Sequence, residues 1–233
     1  MNILAIDSSA APASAALLKD GRLTACYYQN CGLTHSATLM PMIAVLLENC
    51  GADRQDLDLI AVSHGPGSFT GLRIGAATAK GLALGLGIGC IGVSTLAAMA
   101  EQLRDREGIC VCAMDARRGQ VYNANFRLGN PPIRLCDDRA VAAEQLAEEL
   151  KEISEPIYIV GDGAHIAAKA LESAGIPFTL PFELVSFQTA AGVAFAAGRL
   201  AEEGQAIAPE ALEPVYIRLS QAERELLERG KDK

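Results

Sequence analysis

Few residues in this 233-residue chain are spaced to do chemistry. Its three histidines, His35, His64 and His165, lie far apart, and no two have the spacing of metal ligands. His35 reads as a helix-start residue that caps or packs, His64 as a strand-end residue and His165 as a surface residue. Ser63 and His64 are neighbours, which on a strand sends their side chains to opposite faces, so they do not make a nucleophile with its base. The seven cysteines contain no C-x-x-C. Cys110 and Cys112 alternate on an expected strand and share a face. An odd count without a framework fits reduced thiols packed as small hydrophobes, not a metal centre.

The stretch Ser63-His64-Gly65-Pro66-Gly67-Ser68-Phe69-Thr70-Gly71-Leu72-Arg73-Ile74-Gly75 is the most distinctive in the chain. Residues 59–62 before it are a short apolar run, as in a buried strand. Gly65-Pro66-Gly67 has turn composition. Ser68 or Thr70 then offers a side-chain oxygen to the free amides of a new helix. One face of that helix carries Gly71, Gly75, Thr78, Leu82 and Gly85 at spacings of three and four, with Arg73 and Lys80 roughly opposite. A bare helix face admits a second backbone closely. That backbone is either the chain's own sheet or another helix or chain. In the second case the contact surface is Gly71, Leu72, Gly75, Thr78, Ala79 and Leu82.

Strands are expected at 2–6, 13–18 and 22–28, a meander, followed by a helix at 34–50 whose Pro41 implies an early position or a kink. After the 59–62 strand and the glycine-faced helix come a buried strand at 90–93 and a helix capped by Ser94 to about residue 104. The charged break 105–108 sets the boundary between an N-terminal lobe, 1–106, and a C-terminal lobe, 107–219. The second lobe starts the plan again: strand 109–114 ending at Asp115, turn 116–119, strand 120–128. Helix 141–151, strand 157–160, the tight turn Gly161-Asp162-Gly163, helix 164–174 and a long Ala-rich helix 186–203 follow. That last helix is placed to pack back on the first lobe. The charged tail 220–233 is expected to fray. Strands alternating with helices indicate α/β sheets with mixed strand directions.

Half of the residues are hydrophobic and there is no Trp, so the core is built from Ala, Leu, Ile and Val. The formal net charge is −8, which argues against a broad basic nucleic-acid surface but leaves room for a local patch. The N-terminus enters a strand pattern directly, without the features of a secretory signal. Residues 81–100 carry no charge and are long enough to span a bilayer. Their five glycines and the lack of flanking Lys/Arg clusters fit a helix end, a turn, a strand and a new helix instead.

The opening segment, HSATLMPMI at 35–43, GPGSFTGLRIG at 65–75, DARRGQVY at 115–122 and PVYIR at 214–218 together resemble the bacterial TsaB (YeaZ) family, nearly end to end. The resemblance implies the two-lobed fold of actin, sugar kinases and Hsp70-type ATPases. It also implies a role in threonylcarbamoyl transfer to the adenosine beside the anticodon of ANN-decoding tRNAs. There the chain would be a non-catalytic subunit that binds and activates a larger relative, TsaD, with a small ATPase, TsaE, in the cytoplasm. Such proteins also form homodimers through the glycine-faced helix region, and the same surface takes TsaD.

In the catalytic relatives a His-x-x-x-His pair follows a Gly-Val soon after this helix. Here Thr95 and Met99 follow Gly92-Val93 at those places, and neither replaces an imidazole, so no metal is expected. Asp7, Ser8 and Ser9, with Asp115 across the cleft, stand where this architecture puts phosphate turns, and Gly161-Asp162-Gly163 stands near its adenosine turn. Two readings stay open: a vestigial nucleotide site, or strand turns that only cap. Ala10-Ala11-Pro12 lacks the glycine that lets a phosphate approach. The resemblance thus implies no required cofactor and at most weak ATP or ADP binding. Arg117 and Arg118 either bind an anion or a partner carboxylate, or form an exposed turn without a role. The acidity of the chain implies mainly indirect contact with tRNA. The alternative is an autonomous ATPase or small-molecule kinase, which would need two competent phosphate turns. A peptidase finds no support in the residues.

Overall fold

A computed structural model describes residues 1–218; the expectation of a frayed tail at 220–233 lies outside the described residues. The chain opens with the antiparallel meander β1 (Asn2–Asp7), β2 (Ala13–Lys19) and β3 (Arg22–Gln29). After α1 (His35–Asn49) comes β4 (Leu59–Gly65), parallel to β1. Next are α2 (Phe69–Leu86) and β5 (Gly89–Ser94), parallel to β4. The five strands run β3-β2-β1-β4-β5. β1 and β4 are almost wholly buried, which is why they read as continuous apolar runs rather than alternating ones. Pro41 is the seventh residue of α1, inside the helix rather than in its first turn.

Ser94 starts α3 (Thr95–Glu101) by accepting from the Ala97 amide at 3.2 Å. The second lobe follows with β6 (Ile109–Asp115), β7 (Gln120–Arg127), β8 (Ile133–Arg134), β9 (Arg139–Ala142) and α4 (Ala143–Leu150). It ends with β10 (Ile157–Val160), α5 (Ala164–Ser173), the short α6 (Glu183–Ser186) and α7 (Ala190–Glu202). Its strands run β10-β6-β7-β8, and β9 also pairs with β7. The expected helix at 141 begins later because Val141 is taken by a pairing with Val121. The long helix expected from 186 likewise begins only at Ala190, after α6 and an extended link.

Each sheet is covered on both faces, and the inner helices are exchanged. α1 and α2 cover one face of the first sheet, where Leu39, Ile43 and Ala79 meet Leu4, Ile6 and Ile60. The other face takes α7, whose Val193, Ala194 and Ala197 meet Ile3, Ala5 and Ile91. In the second lobe α4 and α5 cover one face, and α3, from the first half of the chain, covers the other with Leu96, Met99 and Ala100. α3 and α7 therefore lie against each other between the lobes. Gly192 lets α7 approach so closely that a Cβ there would overlap the Ala98 backbone. Arg199 of α7 pairs with Glu101 of α3, whose side chain is almost fully buried. Residues 81–100 are the end of α2, β5 and the start of α3, and no helix among the described residues is long and apolar enough to cross a membrane.

Candidate functional site

The first acidic turn is packed, not open. Asp7 is buried, and both carboxylate oxygens are engaged: Oδ1 accepts from the Ser9 amide at 3.0 Å and the Ser9 hydroxyl at 2.9 Å, and Oδ2 accepts from the Ser63 hydroxyl. Burial raises the Asp7 carboxyl above the usual carboxylate range, against the pull of these bonds. The Ser8 hydroxyl donates to the Gly71 carbonyl at 2.9 Å, and the Ser68 amide donates to the Ser9 carbonyl at 2.7 Å. The turn thus docks the start of α2.

This docking corrects the contact surface expected on α2. Gly71, Leu72, Gly75 and Ala79 are buried against the chain's own strands and first turn. A Cβ on Gly71 would overlap the Ser8 carbonyl, and one on Gly75 would lie 2.6 Å from Ser8 Oγ and 3.2 Å from Val62 Cγ2. The glycines are bare because the helix backbone sits directly on the Ser8 turn. Thr78 and Leu82 are half-buried flanks. The solvent side carries Ala77, Gly81, Leu84 and Gly85 instead, and a Cβ on Gly81 or Gly85 would meet nothing within 4 Å. Arg73 and Lys80 are the only charges in the 18 residues of α2, too few to fix its rotation from sequence.

α1 lies beside α2 and continues this surface. Its solvent side exposes Met40 by 47% and Val45 by 45%, with Ala37 and Ala44 between. Apart from His35, Glu48 is the one ionisable residue in α1. Two neighbouring helices therefore present small and apolar side chains to solvent, and exposed apolar patches of this kind mark interaction surfaces. Sequence reasoning found the α2 half of this surface in the wrong rotation and missed α1.

The second turn closes the opposite wall of a cleft of about 820 Å³ between the lobes. Asp115 accepts from the Arg117 amide at 2.7 Å and pairs with the Arg117 guanidinium at 3.2 Å. Asp162 accepts from the Asp115 amide at 3.2 Å, and its carboxyl is raised chiefly by burial, with the Asp115 charge adding to the shift. Gly161 and Gly163 lie against the backbone of Ala113 and Met114, so this turn too is a packing joint. Of the expected nucleotide residues, Ser9, Asp115 and Asp162 line the cleft, whereas Asp7, Ser8, Gly161 and Gly163 do not. A magnesium nucleotide needs free acceptors at the first turn. Asp7 is buried with both oxygens bonded inside the fold and Ser8 is turned into α2, so this turn does not fit that group.

The segment 212–218 crosses from one lobe to the other along the cleft. The Val215 amide donates to the His64 carbonyl at 2.7 Å, and Gly65, at φ 138°, leaves room for the Val215 carbonyl. Arg218 donates to the Ala116 carbonyl at 2.8 Å and to the Gln120 side chain. A second tie joins the lobes through Ser94, which donates to Asp138 at 2.6 Å and accepts from Arg134 at 3.1 Å. No local signal announces either tie, since both join residues distant in sequence.

The histidines form no centre. His35 donates to the Ala10 carbonyl at 2.8 Å, packing the start of α1 onto the first turn. His64 packs its ring over Gly92, and burial holds its imidazole below the usual value. Ser63 bonds to the buried Asp7 carboxylate and not to His64. His165 is exposed beside the Asp162 carbonyl. Thr95 and Met99 are both fully buried, Met99 in the core beneath the second sheet. Among the described residues no group of three His, Cys, Asp or Glu could hold a metal ion.

Residues 29–225 match the family described as TsaD, tRNA N6-adenosine threonylcarbamoyltransferase. The chain is 33% identical over 230 residues to the tRNA threonylcarbamoyladenosine biosynthesis protein TsaB of Escherichia coli, covering 97% of this chain and 98% of that protein. It is 34% identical to the Bacillus subtilis protein of the same name, covering 99% of this chain and 100% of the relative. YeaZ from Pseudomonas aeruginosa superposes with a TM-score of 0.79 at 27% identity, covering 92% of this chain and 99% of that one. The same fold extends at lower identity to the ethanolamine utilization protein EutJ of Carboxydothermus hydrogenoformans, which superposes with a TM-score of 0.52 at 15% identity, covering 84% of this chain and 89% of that one. With full-length identity to proteins of this name and a matching structure, the chain belongs to the TsaB (YeaZ) family.

Proposed function

We propose that this chain is the non-catalytic scaffold subunit for threonylcarbamoyl transfer to the adenosine beside the anticodon of ANN-decoding tRNAs. It acts in the cytoplasm by binding and activating TsaD, with TsaE joining the complex. The observation that carries this reading is the charge-poor outer surface of α1 and α2, where Met40, Val45, Ala77 and Gly81 are exposed and Glu48, Arg73 and Lys80 are the few charged side chains. Thr78 and Leu82 edge that surface. It takes TsaD, and it takes a second copy of this chain when TsaD is absent, so homodimer and heterodimer exclude each other. The packed Asp7 turn supports a subunit that needs no cofactor of its own; ATP or ADP in the cleft would be held weakly.

The test is reconstitution with TsaD, TsaE, ATP, an activated threonylcarbamoyl donor and an ANN-decoding tRNA, with and without this chain. Modified nucleoside is expected only when TsaD and this chain are both present. Product made by this chain alone, or by TsaD equally well without it, overturns the proposal.

A further inference from the structure

The turn after Asp115 is left-handed at three successive residues, with φ 66° at Arg117, 57° at Arg118 and 72° at Gly119. Arginine avoids this region, and such strain persists where the surroundings over-determine it. They do so here. The Ala116 amide donates to the Gln120 carbonyl at 3.0 Å, and the Gln120 amide donates to the Arg117 carbonyl at 3.2 Å. Arg218 grips the Ala116 carbonyl and the Gln120 side chain. The result is a rigid turn that places Arg117 at the mouth of the cleft, its side chain 84% exposed, with the exposed Arg118 next to it in the turn. Asp115 offsets part of the Arg117 charge, and Asp162 lies behind it. In a chain of net charge −8 this arginine pair is a local exception.

The same cleft collects aromatic rings. Of six Phe and five Tyr in the chain, Phe69, Tyr122 and Tyr216 line it. The Phe69 and Tyr216 rings lie 4.8 Å apart, and the Arg73 guanidinium sits 3.9 Å from the Phe69 ring centre. Arg73 Nε also donates to the Tyr216 hydroxyl at 3.1 Å, and Tyr216 remains 39% exposed. Guanidinium groups suit phosphates, and unpaired bases stack on aromatic and guanidinium planes. An acidic protein partner would use the arginines but has no need of the ring platform.

We infer that the mouth of the cleft is a direct contact site for single-stranded RNA of the substrate tRNA. Arg117 and Arg118 hold backbone phosphates, and the Tyr216, Phe69 and Arg73 platform receives an unpaired base. This rests on the function proposed above and adds one local contact to those supplied by TsaD.

The test uses the complex of this chain with TsaD and measures tRNA binding across a salt series. Asn tolerates the left-handed region, so the double variant R117N/R118N keeps the turn while removing both charges. It is expected to raise the Kd for tRNA about tenfold at low salt, and to flatten the slope of log K against log salt by about 1.4 if both phosphate contacts are lost. KM for tRNA rises while kcat holds. R117K/R118K restores most of the slope. Tyr216→Ala weakens binding about tenfold without changing the slope. An unchanged Kd and slope in R117N/R118N overturns the inference. So does a loss of TsaD binding in that variant on gel filtration, which would make the turn a protein contact. A wild-type complex that binds tRNA in this salt-dependent way but does not modify it would sink the proposed function and leave this contact standing.

Discussion

On its inner side α2 brings Gly71 onto the Ser8 backbone, closer than any side chain allows, and sets Gly75 tightly against the Ser8 hydroxyl and Val62. On its outer side Ala77, Gly81 and Gly85 stand with open space around them. Both stripes are small residues at helical spacing. The inner one lets the fold close on itself, and the outer one leaves a backbone that a second molecule can reach. A stripe of small residues therefore states that something comes close, without stating what.

The comparison can be broken by placing one bulky residue on each side. Gly71→Leu should destabilise the monomer by about 3 kcal/mol or more, because the new side chain is driven into the Ser8 backbone. Denaturant unfolding reads this, and a variant as stable as the wild type would show the inner packing to be misplaced. Any loss of dimer in that variant follows from loss of fold. Gly81→Leu should do the reverse. It replaces an exposed helix glycine with a good helix former, so stability should rise by about 0.5–1 kcal/mol. Association with TsaD and with itself should weaken at least about tenfold, an amount that one blocked small-residue contact can supply. Undiminished association on ultracentrifugation would remove this face from the interface.

The smallest effect concerns the turn that the inner glycines rest on. Burial raises the folded-state pKa of Asp7 above its unfolded value. A carboxyl shifted in this direction stabilises the fold below its unfolded pKa, and that contribution is lost as pH rises through the folded pKa. Asp7→Asn has no such titration. The difference in Tm, variant minus wild type, should therefore grow as pH rises from about 4 to about 8, by a few degrees. A flat difference, or one that shrinks with pH, would show that the hydrogen bonds from Ser9 and Ser63 outweigh burial.

Much of the fold was legible because its signals are local. The apolar runs of β1 and β4, the Ser68 and Ser94 caps and the Gly87 stop at φ 68° each act within a few residues. The elements that escaped are those whose formation depends on distant partners. β8 and β9 are short and exist by pairing with β7. α6 is four residues long and caps no periodic pattern. For the site, the residues of both acidic turns were legible and their state was not, since Asp7 becomes a packing group only when Ser63, 56 residues away, donates to it.

The amino-acid order by itself determined the long strands and helices, the repeated plan of the two halves, and the membership that GPGSFTGLRIG and DARRGQVY carry together. Tertiary structure alone decided how α2 is rotated, that α3 crosses to cover the second sheet, and how 212–218 ties the cleft. The physical reason is that periodicity fixes which residues share a face, but a helix with only two charges can be buried along several of its faces at similar cost. Contact with the Ser8 turn, where only glycine fits, selects the one that is found.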